Sequence, residues 1–323
     1  MAIQHVLEPM EHVLEFKPAF VERYKKLLGE EGYAEFYKYS TSYQKRAIRV
    51  NTLKASVEQV KKRLEKDWEL EAVPWCDFAF WILHRGVGEE HRRDVGNLLE
   101  HSLGYIYIQE PASMVPPLAL DPQPGELILD MCAAPGSKTT QIIQQMNNTG
   151  LVVANEYIGS RLAPLAINTQ RLGSTNVVCT KMDGNRIRGL AFDRILVDAP
   201  CSGVGTISKS MKTVQIWNPN MIRRLAKTQL RLLNNAYRLI KPGGTVVYST
   251  CTTEPEEDEG VVSSFLEEHP DMELQNIDLN IERSQPFQEF EGRRFHPDIS
   301  RCLRIWPQDN DTEGFFVAKF IKN

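Results

Sequence analysis

The sequence lacks the features that mark membrane and secreted proteins. It contains no run of about 18 or more apolar residues, which excludes an ordinary transmembrane helix. Its first residues carry acidic groups and include Pro9 where a signal peptide would need an apolar core. These absences predict a soluble protein of the cytoplasm.

The cysteines lack the spacing of a metal site or a disulfide framework. The chain has 6 cysteines and no C-x-x-C pair, which excludes a zinc ribbon and a dense set of disulfides. We therefore expect reduced thiols and no bound metal. Cysteine is most often a small buried hydrophobe, and we assign that packing role to Cys76, Cys179 and Cys302.

Two nucleotide-binding motifs are also missing. The chain has no G-x-G-x-x-G, and Lys138 does not follow the glycine spacing of a P-loop. A nucleoside is therefore favoured over a dinucleotide as ligand. No internal repeat or low-complexity segment is present, which excludes a solenoid.

An excess of positive charge is missing as well. The formal net charge is -4, which argues mildly against a nucleic-acid partner. Basic residues nevertheless concentrate in one early stretch, and Lys45, Arg46 and Arg49 within it are predicted to hold phosphates. The alternative is ordinary solvated surface charge. The stretch comprises Lys45, Arg46, Arg49, Lys54, Lys61, Lys62, Arg63, His84, Arg85, Arg92 and Arg93.

The hydrophobic pattern divides the chain into two parts. Up to residue 110, helical periodicity over 18–28 and 56–66 and strand-like runs at 47–53 and 70–75 predict a small α+β unit. From residue 125, apolar runs alternate with helices, which predicts an α/β domain with a mostly parallel, doubly wound sheet. The last strand can also pair antiparallel. We place the domains at 1–110 and 111–323, with the Pro-rich segment 116–125 as the seam.

The loop after the first strand of the second part is a candidate cofactor site. It runs from Cys132 to Lys138, and its small residues let a ligand approach the backbone. Ser137 is expected to cap the following helix, whose free N–H groups attract an anion. The alternative is purely structural, because a tight turn between strand and helix needs small residues anyway.

Acidic residues follow four successive predicted strands. They are Asp130, Glu156, Asp183 and Asp198, and the carboxyl ends of parallel strands meet at one edge of the sheet. Glu156 stands where doubly wound nucleotide sites place an acid on ribose hydroxyls. Each acid alone can be a turn or cap residue, but the set predicts a ligand.

Two cysteines also follow strands. Cys201 in DAPCSGVG and Cys251 in YSTCT come after runs that we expect to be adjacent central strands. Pro200 stiffens the first turn, and Gly203 and Gly205 leave room for a flat ring. We therefore expect both thiols to lie together over the cofactor edge.

These motifs together resemble those of the Nop/Sun RNA cytosine-5 methyltransferases. The likeness runs from QEPAS at 109–113 through DMCAAPGSKTTQ, Asn155-Glu156, Arg161, Met182-Asp183-Gly184, DAPCSG and YSTC to GFFVAKF. It implies a Rossmann-like class I methyltransferase fold with S-adenosylmethionine as methyl donor. It also implies an N-terminal region that binds RNA.

The resemblance assigns roles to particular residues. In that family the Thr-Cys cysteine attacks the base and the Pro-Cys cysteine assists release, which implies these roles for Cys251 and Cys201. Glu156 stands where many relatives have Asp, so a slight displacement of the ribose contact is expected. The implied cofactor contacts are Cys132, Ala133, Ala134, Pro135, Gly136, Ser137, Lys138, Glu156, Arg161, Asp183 and Asp198.

The chemistry explains why two thiols are useful. Carbon 5 of cytosine is a poor nucleophile, and thiolate addition at carbon 6 turns the ring into an enamine-like species that can attack a methyl group. A second thiol can then accept the carbon-5 proton. Asp198, protonated or bridged to the ring, is expected to stabilise charge at N3.

The expected substrate is inferred from the size of the chain and from the residues that flank its motifs. We expect tRNA, because the chain is compact and has no long extra RNA-binding extension. Ribosomal RNA is the alternative, and DNA methylation and a catalytically idle RNA-binding assembly factor are further ones. Several aromatic residues of the first part can hold RNA or pack in a core: Tyr37, Tyr39, Tyr43 and Trp75. The sequence leaves the oligomeric state open, a monomer included.

Overall fold

The computed structural model describes residues 7–86 and 94–323. Arg92 and Arg93 of the predicted basic stretch lie outside the described residues. Within the described ranges, none of the helices combines the length and the apolar character that crossing a bilayer requires.

A small α+β unit forms the N-terminal part. Four of its strands make an antiparallel sheet in the order β4-β5-β3-β6. Its elements are β1 (Glu8–Pro9), α1 (Pro18–Ser40), β2 (Ser42–Tyr43), β3 (Ala47–Val50), α2 (Val57–Leu64), β4 (Trp68–Ala72), β5 (Ala79–His84), α3 (Leu99–Ser102) and β6 (Ile106–Ile108).

Several elements of this unit differ from the sequence prediction, among them α1 and two strands of the four-stranded sheet, β5 and β6. Helix α1 extends to Ser40, beyond the predicted 18–28, because a second helical run follows the break at Gly29, whose φ is 74°. Strand β5 was not predicted. It lies inside the sheet, and four of its six residues are buried, so it lacks the alternation by which a half-buried strand is recognised.

A mostly parallel sheet forms the second part, as predicted. Within the described residues it has eight strands, seven of them in the order β12-β16-β11-β10-β7-β8-β9, while β15 pairs with β16. Strands β7 to β11 are parallel, and β16 runs antiparallel to β11. The strands are β7 (Leu127–Asp130), β8 (Leu151–Glu156), β9 (Val177–Lys181), β10 (Phe192–Asp198), β11 (Ile240–Thr250), β12 (Met272–Gln275), β15 (Leu303–Ile305) and β16 (Phe315–Lys322), with a separate hairpin of β13 (Glu289–Phe290) and β14 (Arg293–Arg294).

Helices connect and cover these strands. They are α4 (Val115–Leu120), α5 (Ser137–Gln145), α6 (Gly159–Leu172), α7 (Lys212–Ile216), α8 (Pro219–Leu239), α9 (Glu259–Glu268) and α10 (Pro307–Asn310). The Pro-rich segment 116–125 is not an exposed linker, since it begins inside α4. Pro116 and Pro117 are buried there, and proline fits the first turn of a helix because those N–H groups have no helical partner.

The two parts share one apolar core. Trp75 and Trp81 of the N-terminal unit belong to the same buried cluster as Ile128 of β7 and Ile142 of α5. Burial of such large side chains at the junction holds the N-terminal sheet against the carboxyl edge of the central sheet.

Candidate functional site

The two predicted cysteine loops meet at the centre of the sheet. Strands β10 and β11 are parallel neighbours, with Asp198 opposite Ser249, and Cys201 and Cys251 lie just beyond their carboxyl ends. The two Sγ atoms are 3.2 Å apart. Cys251 lines a cavity of about 320 Å³, together with the loop that follows β7.

Hydrogen bonds hold the two loops in register. The Gly205 N–H donates to the Cys251 carbonyl oxygen at 3.0 Å, and the Gly314 N–H donates to the Gly205 carbonyl oxygen at 3.0 Å. A Cβ atom on Gly205 would lie 2.0 Å from the Gly314 oxygen, so only glycine fits. The Ser202 hydroxyl lies 2.7 Å from the Thr252 hydroxyl. Backbone and hydroxyl hydrogen bonds between the loops therefore add to the contact between the two sulfur atoms in fixing their positions.

The candidate cofactor loop turns tightly from β7 into α5. Gly136 has a φ of 102° and precedes the helix, which begins at Ser137. Ser137 therefore does not cap the helix, and the prediction that it would is wrong, because the turn closes one residue earlier. Arg161 donates to the Ala134 carbonyl oxygen at 2.7 Å and braces the loop from α6. The loop residues that line the cavity are Cys132, Ala133, Ala134, Pro135, Ser137 and Lys138.

Two of the four predicted acids carry buried oxygens that accept no hydrogen bond within the described chain. They are Asp130 Oδ1 and Glu156 Oε2. Glu156 Oε2 lies 3.5 Å from Arg161 Nη1, while Glu156 Oε1 accepts from the Ile158 N–H at 2.8 Å. Burial raises the pKa of Asp130 to about 7. Buried acceptors of this kind need donors, which the ribose hydroxyls and the ammonium group of S-adenosylmethionine possess, so these residues fit that cofactor.

Asp183 has a local structural role. Its carboxylate accepts from the Asn185 N–H at 3.0 Å and starts a short helical turn. Like Glu156, it does not line the cavity that holds Cys251. The contacts of Asp183 are thus those of a residue that caps a turn, which was the alternative to a ligand role.

Asp198 lies between two donors. Lys138 Nζ donates to Asp198 Oδ2 at 2.8 Å, and the Ser249 hydroxyl donates to Oδ1 at 2.8 Å. Burial disfavours the charged ammonium, but attraction to Asp198 outweighs it and raises the pKa of Lys138. In this geometry both side-chain oxygens of Asp198 accept hydrogen bonds.

The thiols have different surroundings. The hydrogen bond with Cys251, followed by burial, raises the pKa of Cys201 well above its ordinary value. Cys201 is therefore the thiol that keeps its proton in the pair. Cys251 lies near two cations, Lys138 and Lys209, and raises the pKa of both through Coulombic attraction. Both ammonium groups line the same cavity as Cys251.

The other cysteines lie apart from this pair. Cys76 and Cys302 are buried, and burial raises the pKa of Cys76 to about 12. Cys179 is exposed, so the packing role assigned to it is wrong. It lies on β9 at one end of the strand order, opposite Ala154 of β8.

The predicted phosphate-binding residues separate into two groups. Lys45 and Arg46 line a second cavity of about 610 Å³. Arg49 is fully buried, and its guanidinium donates to Gln109 at 2.8 Å and to Thr140 at 2.8 Å. The prediction for Arg49 is wrong, because this side chain joins β3 to α5 and cannot reach a phosphate.

Three charged residues of the site were not predicted individually. Lys209 Nζ lies 2.6 Å from Glu313 Oε1, and the Glu313 N–H donates to Glu110 Oε1 at 3.0 Å. Burial, and then the charge of Glu313, raise the pKa of Glu110 to about 7. All three line the cavity of Cys251. Glu110 stood inside the QEPAS motif, but Lys209 and Glu313 had no distinguishing pattern.

Comparison with known families places the two parts separately. Residues 117–321 match the family described as 16S rRNA methyltransferase RsmB/F. Residues 16–111 match the N-terminal domain of 16S rRNA methyltransferase RsmF.

Individual relatives agree with the family matches. A tRNA (cytosine(49)-C(5))-methyltransferase of Pyrococcus abyssi is 42% identical over 97% of this chain and 99% of its own length. Ribosomal RNA small subunit methyltransferase F of Aliivibrio salmonicida is 44% identical over 86% of this chain but only 58% of its own length. The crystal structure of NSun6 from Pyrococcus horikoshii with SFG superimposes with a TM-score of 0.83 at 25% identity, covering 95% of this chain and 98% of that one.

Proposed function

Because the chain belongs to the family described as 16S rRNA methyltransferase RsmB/F, we propose that it methylates carbon 5 of a cytosine in tRNA, with Cys251 as covalent nucleophile. S-adenosylmethionine supplies the methyl group. The observation that carries the proposal is the 3.2 Å contact between Cys201 and Cys251 at the edge of the cofactor cavity. A covalent route that needs one nucleophile and one proton acceptor has both groups at this point.

Cys251 starts the reaction. Cys251 shares its cavity with the ammonium groups of Lys138 and Lys209, and the thiolate is the nucleophilic form of cysteine. Addition of this sulfur to carbon 6 makes carbon 5 electron-rich and able to take the methyl group. Covalent addition thereby divides one difficult substitution into easier steps.

Cys201 acts after the nucleophile has been consumed. The hydrogen bond with Cys251 is the largest cause of the raised pKa of Cys201. When Cys251 becomes a thioether, that cause is weakened, so the Cys201 thiol can release its proton to solvent and become a thiolate. It then removes the proton from carbon 5, and the electrons of that bond expel the Cys251 sulfur from carbon 6.

Asp198 orients the base. Lys138 and Ser249 hold its carboxylate as an acceptor, which suits the amino group of cytosine or a protonated N3. An acceptor fixed in advance needs little rearrangement as charge develops on the ring.

The cofactor is proposed to bind along the β7 loop and the end of β8. Asp130 and Glu156 offer the buried acceptor atoms, and the residues from Cys132 to Lys138 leave the backbone open to close approach. Arg161 fixes the loop and the carboxylate of Glu156 together. Gly136 supplies the turn, and Asp183 is proposed to support the loop beyond β9.

Similarity supports tRNA as the substrate. The tRNA methyltransferase relative matches 97% of this chain, whereas the ribosomal RNA relative matches 86% of it. The N-terminal division, proposed at 1–110, places Lys45 and Arg46 beside the catalytic cavity, where they can bind phosphates of a folded RNA.

The choice of RNA is tested with unmodified substrates. The full chain is incubated with labelled S-adenosylmethionine and, separately, with tRNA transcripts and small-subunit ribosomal RNA lacking modifications. We expect 5-methylcytosine in the tRNA at one position. Methylation of the ribosomal RNA alone would replace tRNA by the ribosomal substrate, and methylation of neither would refute the function.

A further inference from the structure

The second cavity lies next to the catalytic one and shares a wall with it. It measures about 610 Å³ and is bounded by the N-terminal sheet and by the loop that follows Cys201. Gln109, Glu110 and Lys209 line both cavities. A chain of nucleotides whose target base enters the first cavity must therefore continue past this wall.

The lining of the second cavity combines aromatic rings with cations. Tyr43 exposes 41% of its surface, and Trp81 is buried but also lines the cavity. Lys45 lies over the Trp81 ring at 5.1 Å. Arg46 forms no ion pair within residues 7–86 and 94–323. Rings that stack on bases, together with cations that follow the phosphates, are the components of single-stranded RNA sites.

One residue that lines this cavity has a donor without an acceptor. The indole N–H of Trp81 makes no hydrogen bond to any described residue, and Trp81 is buried, with 7% of its surface exposed. A buried donor without an acceptor costs free energy. Phosphate oxygens and base carbonyls are acceptors that an RNA brings with it.

The shared wall is suited to a phosphate. The side chain of Lys209 is half exposed and lies 2.6 Å from Glu313. Burial, and then the charge of Glu313, raise the pKa of Glu110 to about 7, so this carboxyl carries only about half of its negative charge near neutral pH. An ammonium group between two base-sized cavities can pair with the phosphate that joins their nucleotides.

From this arrangement we infer that the second cavity holds the nucleotide adjacent to the target cytosine. Its base stacks on Tyr43, its phosphates meet Lys45 and Arg46, and Lys209 pairs with the joining phosphate. The inference rests on the proposed RNA methyltransferase function and adds a subsite to it. The enzyme then recognises a pair of unstacked nucleotides and not a single flipped base.

The test is a coupling measurement on an RNA that the wild-type enzyme methylates. The base on either side of the target cytosine is replaced by an abasic ribose, and kcat/KM is measured with wild-type enzyme and with Tyr43→Ala. We expect loss of one neighbouring base to lower kcat/KM about tenfold, as one lost stack does. Tyr43→Ala should lower kcat/KM by the same factor on intact RNA. Tyr43→Ala acting on the abasic RNA should show no larger loss of kcat/KM than either change alone.

Two variants control for the fold and for unspecific loss. Tyr43→Phe keeps the ring and should restore wild-type kcat/KM. Tyr37→Ala removes an equally exposed ring, 39% against 41%, that lies outside the cavity, and its effect should be the same on intact and abasic RNA. A parallel experiment combines Lys209→Met with an RNA that carries an uncharged methylphosphonate at the joining phosphate. The two changes together should lower kcat/KM no more than either change alone.

The outcomes separate the subsite from the function. If the penalties of Tyr43→Ala and of each abasic neighbour multiply, or if neither abasic change matters, the subsite is refuted while methylation stands. If the wild-type enzyme methylates no intact RNA, the proposed function fails first and the subsite fails with it.

Discussion

The 3.2 Å contact between Cys201 and Cys251 predicts opposite results for two single substitutions. Cys251→Ala lacks the nucleophile, so it should be inactive and should retain no RNA on a denaturing gel. Cys201→Ala should still add to carbon 6 and transfer the methyl group, but it should remain as a covalent complex because the carbon-5 proton stays in place. Gel retention with labelled cofactor measures both outcomes.

The asymmetry between the two variants distinguishes chemistry from packing. A cysteine with only a structural role would lower activity and trapping together through lost stability, so thermal unfolding of each variant is the control. Cys302→Ala, a buried thiol away from the pair, is the matched comparison. If Cys251→Ala retains RNA covalently and Cys201→Ala does not, the roles of the two cysteines are reversed. If neither variant retains RNA although both are folded, Cys201 does not catalyse release of the product.

Glu156 is predicted to bind the ribose through an oxygen that has no hydrogen bond from the described chain. Glu156→Ala should weaken binding of S-adenosylmethionine by about 1.5 to 3 kcal/mol, the range for a hydrogen bond to a charged group. Isothermal calorimetry measures the loss, and the exposed Glu273→Ala should bind normally. Wild-type affinity in Glu156→Ala would remove this residue from the cofactor site.

The burial of Glu257 leads us to expect that the stability of the protein decreases with rising pH. Glu257 is fully buried and accepts from the Ser202 N–H at 3.0 Å and from Gln229 at 2.7 Å. Burial raises its pKa to about 7. The folded state thus prefers the neutral acid. The contribution of Glu257 to the free energy of unfolding is complete below the pKa of the unfolded state and is lost as pH rises through about 7.

The free energy of unfolding is therefore expected to fall between pH 5 and pH 8, with Glu257 contributing up to about 3 kcal/mol. Glu257→Gln keeps an acceptor for both donors but cannot ionise, so it should flatten the curve measured by urea unfolding. The exposed Glu65→Gln should leave the slope unchanged. A Glu257→Gln curve parallel to that of the wild type would show that the carboxyl does not titrate in this range.

At the scale of elements, β15 and α9 are joined by a buried ion cluster. Arg304 Nη2 lies 2.6 Å from Glu259 and 3.1 Å from Asp258, and all three side chains are fully buried. Arg304→Met should lower the free energy of unfolding by about 3 to 5 kcal/mol, because it leaves carboxylates buried without their partner. Urea unfolding measures the loss.

The control for this prediction is the exposed pair on the same side of the protein. Arg301 is 39% exposed and lies 3.6 Å from Glu273, so Arg301→Met should cost less than about 1 kcal/mol. Equal losses in the two variants would mean that burial does not distinguish the pairs.

Elements with a repeating pattern were predictable, whereas contacts across elements were not. The apolar runs in the sequence predicted the positions of the parallel strands. The acids at the ends of β7, β8 and β10 were also predictable, because the carboxyl ends of parallel strands meet at one edge of a sheet. These acids are Asp130, Glu156 and Asp198. Lys209 and Glu313 come from irregular loops brought together only by folding. The burial of Arg49 was also unpredictable, because β3 is covered on both faces and shows no alternation.

At the scale of the whole molecule, binding of RNA is expected to depend on salt through the N-terminal cations. The double variant Lys45→Ala, Arg46→Ala should lower the slope of log affinity against log salt by about two units, one for each lost phosphate contact. Arg49→Met should leave the slope unchanged and reduce thermal stability, because its partners are protein side chains. Filter binding over a salt series measures the slopes.

Either of two results would contradict this assignment. An unchanged slope in the double variant would return Lys45 and Arg46 to ordinary solvated charge. A lower slope in a stable Arg49→Met protein would show that Arg49 reaches the RNA despite its burial.

The apolar core common to Trp75, Trp81, Ile128 and Ile142 has a consequence for how substrates are selected. It fixes the separation between Lys45 and Arg46, the proposed phosphate contacts, and Cys251, the proposed nucleophile. Under the proposed function the protein therefore measures a fixed length along its substrate, and we expect it to accept an RNA whose reactive cytosine stands at that length from the bound phosphates. We expect a cytosine that is moved by one base pair along a stem to be out of reach, although every local contact is still available.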